Sequence, residues 1–471
     1  MSDTATASPS TAAASPTAAA PLKTAAGLLC RHPAVACACP VDGHLLAQPA
    51  AATLPADRAV REAAHTAGLA ALGSVDWAAV ADRVAVLDAA AHAAMGATLA
   101  EAGLFTAAGA VHPVAEVLTA LAVAPRHRRV VRRWLRELTR EGVLSAAGPD
   151  SYRAERPCTA ADLDVRLARL DAAAAGLGHG EQMGEFLARC ARSLPRLLRD
   201  EVTVQQLMFP DGRTDTADST YRDNLASRYV NGVAAATLRH VAAWHAPDTP
   251  LRVLEIGAGV GGTSAVVIPA LAESTDPVDY QFTDVSPFFL HVGREMFGDR
   301  PWVRYGRCDI NSDLSAQGHA PGSVDVVLAA NVLHNAVDTG QLMAALYRLL
   351  APGGWLVFID TSREHPQIMT STEFLMSPPA ADPDARFTDG RAERDQIFPT
   401  VAQWRAAAEG AGFDPLWSLP EPGHPVAGLG QYVHAARTRL RPDPAGLRRY
   451  LAGRLPDPPQ VAVAPTLPAP R

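Results

Sequence analysis

The run Leu251-Arg252-Val253-Leu254-Glu255-Ile256-Gly257-Ala258-Gly259-Val260-Gly261-Gly262-Thr263-Ser264 constrains this chain more than any other stretch. Apolar residues around Arg252 and Glu255 make a short buried strand. Glycines at alternate positions let the backbone pass close to a ligand where a Cβ would collide, and Thr263 and Ser264 suit the start of a helix. The whole reads as a cofactor site. Its pattern is acidic-x-Gly-x-Gly-x-Gly, with Glu255 two residues before Gly257. A dinucleotide fingerprint places its glycines first and its acidic residue on the next strand.

From 251 onward, strands and helices alternate as a doubly wound parallel sheet requires. Tyr280 to Thr283 reads as the second strand and ends at Asp284-Val285, where a carboxylate can accept both hydroxyls of a ribose. Val303 to Tyr305 leads to Cys308-Asp309-Ile310, where a carboxylate can receive an adenine amino group. Val324 to Ala330 is the fourth strand and runs into Asn331-Val332-Leu333-His334. A helix over Leu342 to Leu350 stops at Pro352-Gly353-Gly354, and Trp355 to Ile359 is a fifth strand ending at Asp360. Glu255, Asp284, Asp309 and the pair Asn331/His334 therefore arrive at one edge of the sheet, where open α/β sheets bind ligands. A helix near Ala402–Gly410 and strands near Pro415–Leu419 and Gln431–His434 complete the domain.

Upstream, residues 1–54 are rich in Ala, Ser, Thr and Pro, and small residues bury too little surface to offset ordering entropy, so this segment is expected to be disordered. The Pro-rich tail 454–471 reads the same way. Cys30, His32, Cys37, Cys39 and His44 follow no zinc-ligand spacing, and no metal site is expected. Residues 55–160 form a helical, winged-helix-like domain: a short helix from Val114, a turn at Val123-Ala124-Pro125, a helix from Arg128 to Glu141, and a β-wing through Tyr152. That second helix carries Arg128, Arg129, Arg132, Arg133, Arg136 and Arg140, which raises DNA reading as a possibility. Glu137, Glu141 and a chain of net charge −7 with pI near 6.1 argue instead for a partner-facing or solvated helix, and no nucleic-acid partner is expected. Residues 161–248 read as a helical lid or linker in which Tyr221 and Tyr229 can cap the cofactor. No apolar run approaches a membrane span and no signal peptide is evident, so a cytoplasmic location follows by default.

Together these residues resemble the S-adenosyl-L-methionine (SAM)-dependent methyltransferase domains embedded in modular polyketide synthases and nonribosomal peptide synthetases. The resemblance covers about residues 110–437. Its marks are Val123-Ala124-Pro125-Arg126-His127-Arg128, Tyr221-Arg222-Asp223, the glycine run, Phe282-Thr283-Asp284-Val285-Ser286, Ala330-Asn331-Val332-Leu333-His334 and Leu350-Ala351-Pro352-Gly353-Gly354. Ser371-Thr372-Glu373-Phe374-Leu375 with Phe387-Thr388-Asp389 is similar to the siderophore branch that builds thiazoline rings. The resemblance implies a Rossmann-like, seven-stranded class I methyltransferase sheet over residues 249–440, preceded by a mostly helical, winged-helix-like lid.

It further implies SAM as cofactor, held by Tyr221, Glu255, Gly257, Gly259, Gly261, Asp284, Val285, Asp309, Ile310 and Asn331. The expected chemistry is C-methylation of an acidic carbon alpha to a thioester on an acyl or peptidyl carrier protein, or of a released small molecule. The base would be a His–Glu dyad from the ends of the fourth and fifth strands. His334 matches the His, while the Glu position falls on Asp360, one methylene shorter, with Glu364 as a possible stand-in. Since the chain shows no synthase, adenylation or carrier module, it is expected to act as a free-standing enzyme. The alternatives are O- or N-methylation on the same fold, a catalytically inactive SAM-binding subunit, and a SAM-binding regulator that uses the arginine helix.

Overall fold

The computed structural model describes residues 16–31, 35–49, 55–180, 182–208, 223–245, 249–273, 277–438, 444–452 and 454–464, in two compact units. Tyr221, a proposed cofactor cap, lies outside the described residues.

The smaller unit corrects an expectation. Helix α1 (Pro16–Leu29), strands β1 (Val35–Val41) and β2 (His44–Pro49) and a strand at Val461–Val463 fall where disorder is expected from composition, and a helix over Pro444–Ala452 belongs to the same unit. β1 and β2 pair antiparallel and Val461–Val463 pairs parallel to β2, giving a three-stranded sheet. Its core is Leu29, Val35, Leu45, Ala47, Leu447, Leu451 and Val461. The hairpin turns on Asp42 (φ 46°) and Gly43 (φ 81°), and Asp-Gly with both residues left-handed is the two-residue turn whose twist matches a hairpin. Cys30 accepts from the Ala38 amide at 3.2 Å and Cys37 donates to Gln48 at 3.2 Å, so these two thiols serve local bonds.

The larger unit is built on a seven-stranded sheet of order β11-β12-β10-β9-β6-β7-β8. The strands are β6 (Leu251–Ile256), β7 (Val278–Thr283), β8 (Val303–Gly306), β9 (Val324–Ala330), β10 (Leu350–Thr361), β11 (Phe413–Leu419) and β12 (Gln431–Thr438). β8, β7, β6, β9 and β10 run parallel and β12 is antiparallel to β10. Strand order reverses beside β6, so the crevice for ligands opens where the glycine turn leaves it. β6 places apolar side chains on both of its faces because both are covered: Val253 joins a core with the preceding helices, and Leu254 and Ile256 join one with Val327, Leu346, Phe358 and Trp404.

Before the sheet come α2 (Pro55–Ala70), α3 (Trp77–Glu101), β3 (Val111–Pro113), α4 (Val114–Ala120), α5 (Arg128–Arg140), β4 (Leu144–Gly148) and β5 (Ser151–Ala154). The order β3-β5-β4 with α4 and α5 is a winged-helix arrangement. α6 (Gln182–Leu198) and α7 (Leu225–Trp244) then lead into β6, with the Asn224 side chain capping α7 through the Ser227 amide. The apolar faces of α3, α5, α6 and α7 belong to the same core as the front of the sheet. No helix among the described residues is long and apolar enough to cross a membrane.

Candidate active site

The glycine turn needs its glycines for separate reasons. Gly257, Gly259 and Gly261 have φ of 65°, 56° and 76°, a region that side chains with a Cβ rarely adopt. A Cβ on Gly257 would also stand 2.6 Å from Cγ2 of Val332, whereas one on Gly259 would meet nothing within 4 Å. The turn is pinned at Gly257 and open at Gly259. The Gly259 amide donates to Oδ2 of Asp284 at 3.0 Å, and Oδ1 accepts from the Ser286 amide at 2.8 Å. The end of β7 is thereby tied to the turn, with Val285 beside it half exposed to solvent.

Glu255 is buried, and its Oε2 accepts from Ser264 Oγ at 2.7 Å and Tyr280 Oη at 2.8 Å. It therefore braces the glycine turn against the following helix α8 (Ser264–Ala272) and against β7. Burial pushes its carboxyl up to about 7, with both hydroxyls opposing the shift. Oε1 is buried with no partner among the described residues, a costly arrangement that a ligand donor would relieve. An open glycine turn, an unspent carboxylate oxygen and Asp284 at the neighbouring strand end fit a cofactor with an amino acid head and a ribose. Thr263 donates to Asn231 at 2.8 Å, which fixes α7 to the start of α8.

Asp309 follows β8 and its carboxylate closes its own turn, accepting from the Asn311 amide and from Ser312 Oγ, each at 2.9 Å. Asn311 in turn accepts from the Val337 amide at 2.7 Å and donates to the Asn335 carbonyl at 3.2 Å, so Asp309 and half-buried Ile310 are held beside the end of β9. There Asn331 takes φ 55° while its amide donates to the Ile359 carbonyl at 2.8 Å. Asparagine tolerates this left-handed conformation better than most residues.

His334 lies in the 3-10 turn Leu333–Asn335 and its Nδ1 is 2.7 Å from Oδ1 of Asp360. Both are buried, and Oδ2 of Asp360 accepts from the His334 amide at 3.1 Å. The shorter carboxylate reaches. Glu364, the alternative partner, is engaged elsewhere, accepting from Arg133 and from the Ile397 amide at 3.0 Å.

Two residues of this site are missed by the sequence reading. Arg391 donates to the His334 carbonyl at 2.7 Å and the Ala336 carbonyl at 2.6 Å, and is itself gripped by Asp389. Those contacts hold Asp389 down to about 2 despite partial burial, and Asp389 also accepts from the Thr339 amide at the head of α9 (Thr339–Leu349). The quoted segment Phe387-Thr388-Asp389 stops two residues short of Arg391. Phe398 packs its ring 4.9 Å from the imidazole centroid, and nothing in its sequence context marks it.

One face of the arginine helix α5 is turned into the protein, while Arg128 and Arg140 stay exposed. Arg133 is buried against Glu373 at 2.7 Å and against Glu364, Arg136 meets Asp395 at 2.7 Å, and Trp134 donates to the Met369 carbonyl at 3.0 Å. These contacts hold the segment that follows β10. A recognition helix would show these groups to solvent.

Comparison with known proteins agrees with this fold. Residues 254–356 match the family described as "Methyltransferase domain". Pyochelin synthetase PchF of Pseudomonas aeruginosa is 36% identical over 406 residues, which cover 83% of this chain and 22% of that protein. The chain thus spans about a fifth of the length of that relative. The crystal structure of the CurJ carbon methyltransferase superposes with a TM-score of 0.71 at 25% identity, covering 81% of this chain and 99% of that one. The trans-methyltransferase CalH, solved with SAH, shares the fold at a TM-score of 0.55 and 20% identity, over 76% of this chain and 92% of its own. This chain is a SAM-dependent methyltransferase of the class I fold, similar to the methyltransferase regions of polyketide synthases and nonribosomal peptide synthetases.

Proposed function

We propose that the enzyme methylates an acidic carbon of a polyketide- or peptide-type intermediate, carrier-bound or released, with His334 as general base and Asp360 orienting it. The buried 2.7 Å contact between His334 Nδ1 and Asp360 carries this reading. A carboxylate on Nδ1 selects the tautomer whose Nε2 lone pair is free to take a proton, and it stabilises the imidazolium that forms. SAM, when bound, supplies a methyl group on a sulfonium for in-line displacement. Glu255, the glycine turn, Asp284 with Val285, Asp309 with Ile310, and Asn331 are the residues proposed to hold it. Arg391 positions the His334 turn, and Phe398 limits ring rotation and keeps water from one side of the imidazole.

Positioned general bases contribute about 10²- to 10⁴-fold to rate. Incubation with methyl-labelled SAM and a candidate thioester, followed by mass-spectrometric fragmentation, reads the site of attachment. Label on carbon supports the proposal, and label on oxygen or nitrogen replaces it with heteroatom methylation.

A further inference from the structure

Beside the dyad turn lies a second feature that methyl transfer itself does not need. The start of α5 and the segment 378–395 enclose a cavity of about 400 Å³. Arg126, Arg128, Arg129, Arg132, Arg386 and Arg391 line it, against two carboxylates, Asp384 and Asp395. Asp395 is taken by Arg136, and Arg126, Arg132 and Arg391 hold Asp200, Asp150 and Asp389. Among the described residues, exposed Arg128 and Arg386 are paired with no carboxylate. The walls are not simply a charged surface. Phe387 is stacked under Arg391 at 3.7 Å and Arg129 at 5.1 Å, and Pro125, Pro378 and Pro383 stiffen the rim. A planar guanidinium offers forked donors that match phosphate oxygens, and the volume falls within the range of small-ligand sites. Arg391 connects this wall to the chemistry, because the same guanidinium holds the carbonyls of His334 and Ala336.

We propose that this cavity binds the phosphate of a phosphopantetheine arm presented by a carrier protein, with Arg128 and Arg386 as the free ligands for the anion and Phe387 and the prolines against the arm's apolar part. The proposal rests on the carrier-bound form of the functional reading above and adds the anchor by which such a substrate is recognised.

The test separates the two. Isothermal titration of the full-length protein with 4′-phosphopantetheine and with pantetheine should show the phosphorylated form binding at least about 10-fold more tightly. Arg128→Ala/Arg386→Ala should erase that preference while SAM affinity and melting temperature stay unchanged. Equal binding of the two arms, or a double variant that retains the preference, would overturn the site. So would displacement of phosphopantetheine by random duplex DNA that binds more tightly, which would make the cavity a nucleic-acid contact.

A second arm compares methylation of one acyl group carried on pantetheine, coenzyme A and a holo-carrier protein. A preference of wild type for the carrier-borne group, lost in the double variant with the pantetheine thioester rate unaltered, supports the assignment. Higher kcat/KM on coenzyme A than on the carrier would overturn the carrier as source. Phosphate-dependent binding without methylation of any thioester leaves the anion site standing and sinks the carbon-methylation reading.

Discussion

The guanidinium Nε of Arg133 lies 2.7 Å from Oε1 of Glu373, a residue 240 positions away, with both side chains out of solvent. Burial raises the Glu373 carboxyl and Arg133 opposes that rise. Removing one partner strands the other charge in a dry site, which costs about 3–5 kcal/mol. Arg133→Met should lower stability by that order in urea denaturation. Arg133→Met/Glu373→Gln should recover part of it, and additive losses in the pair would show that the two residues do not act together.

At the dyad, His334→Ala is expected to retain SAM binding by calorimetry while turnover falls by about 10²-fold or more. Asp360→Asn should lower kcat to a similar extent without changing SAM affinity, because an amide no longer dictates which imidazole nitrogen carries the proton. Full activity in His334→Ala would remove the general-base role.

Glu255 carries a distinctive pH signature. Its folded carboxyl sits at about 7, above the ordinary 4.5, so its contribution to stability is fully present below about pH 4.5 and is lost as pH rises through about 7. The shift corresponds to a loss on the order of 3 kcal/mol. Glu255→Gln should flatten this part of the stability profile of the cofactor-free protein, measured by denaturant titration between pH 4.5 and 7.5.

Two buried histidines act in the opposite sense. Burial lowers His434, which is stacked on Phe358 and bonded to Ser362 and Ser418, to about 3, and His365 to about 4. Their folded values lie below the ordinary 6.5, so the stability they contribute is present above that pH and falls away on acidification. Denaturation midpoints should drop from pH 6.5 towards 4, and His434→Gln should make that fall shallower. An unchanged slope would mean that His434 is not held neutral in the fold.

Gly257→Ala should be severe for two independent reasons, the 2.6 Å approach to Val332 and the φ of 65°. A loss of about 1–3 kcal/mol and greatly weakened SAM binding are expected. Gly259→Ala keeps the strain of φ 56° but meets no atom, so a smaller stability loss is expected there, and thermal melts of the two variants side by side check the contrast.

The sheet was legible because its strands are short apolar runs that end in acidic or glycine residues, a pattern few other arrangements produce. Glu255, Asp284, Asp309 and Asn331 could be placed at one edge on that basis alone. The reach of Asp360 could not, since a single methylene is decided by how the turn at 333–335 sits on β10. Arg133 and Arg136 of α5 read as part of a polar face because charge gives no hint of direction when their partners, Glu364, Glu373 and Asp395, lie more than two hundred residues downstream. In the small unit, the Asp42-Gly43 turn was a signal present in the sequence and outweighed by an alanine- and proline-rich composition.

Asp360 holds one histidine twice, by its ring nitrogen and by its own backbone amide. A carboxylate that fastens both the hinge and the tip of a side chain leaves it almost no orientations to search. The ordering cost of aligning the imidazole is then met when the chain folds, and with the proposed general-base role turnover should show a small activation entropy, with its temperature dependence set chiefly by enthalpy.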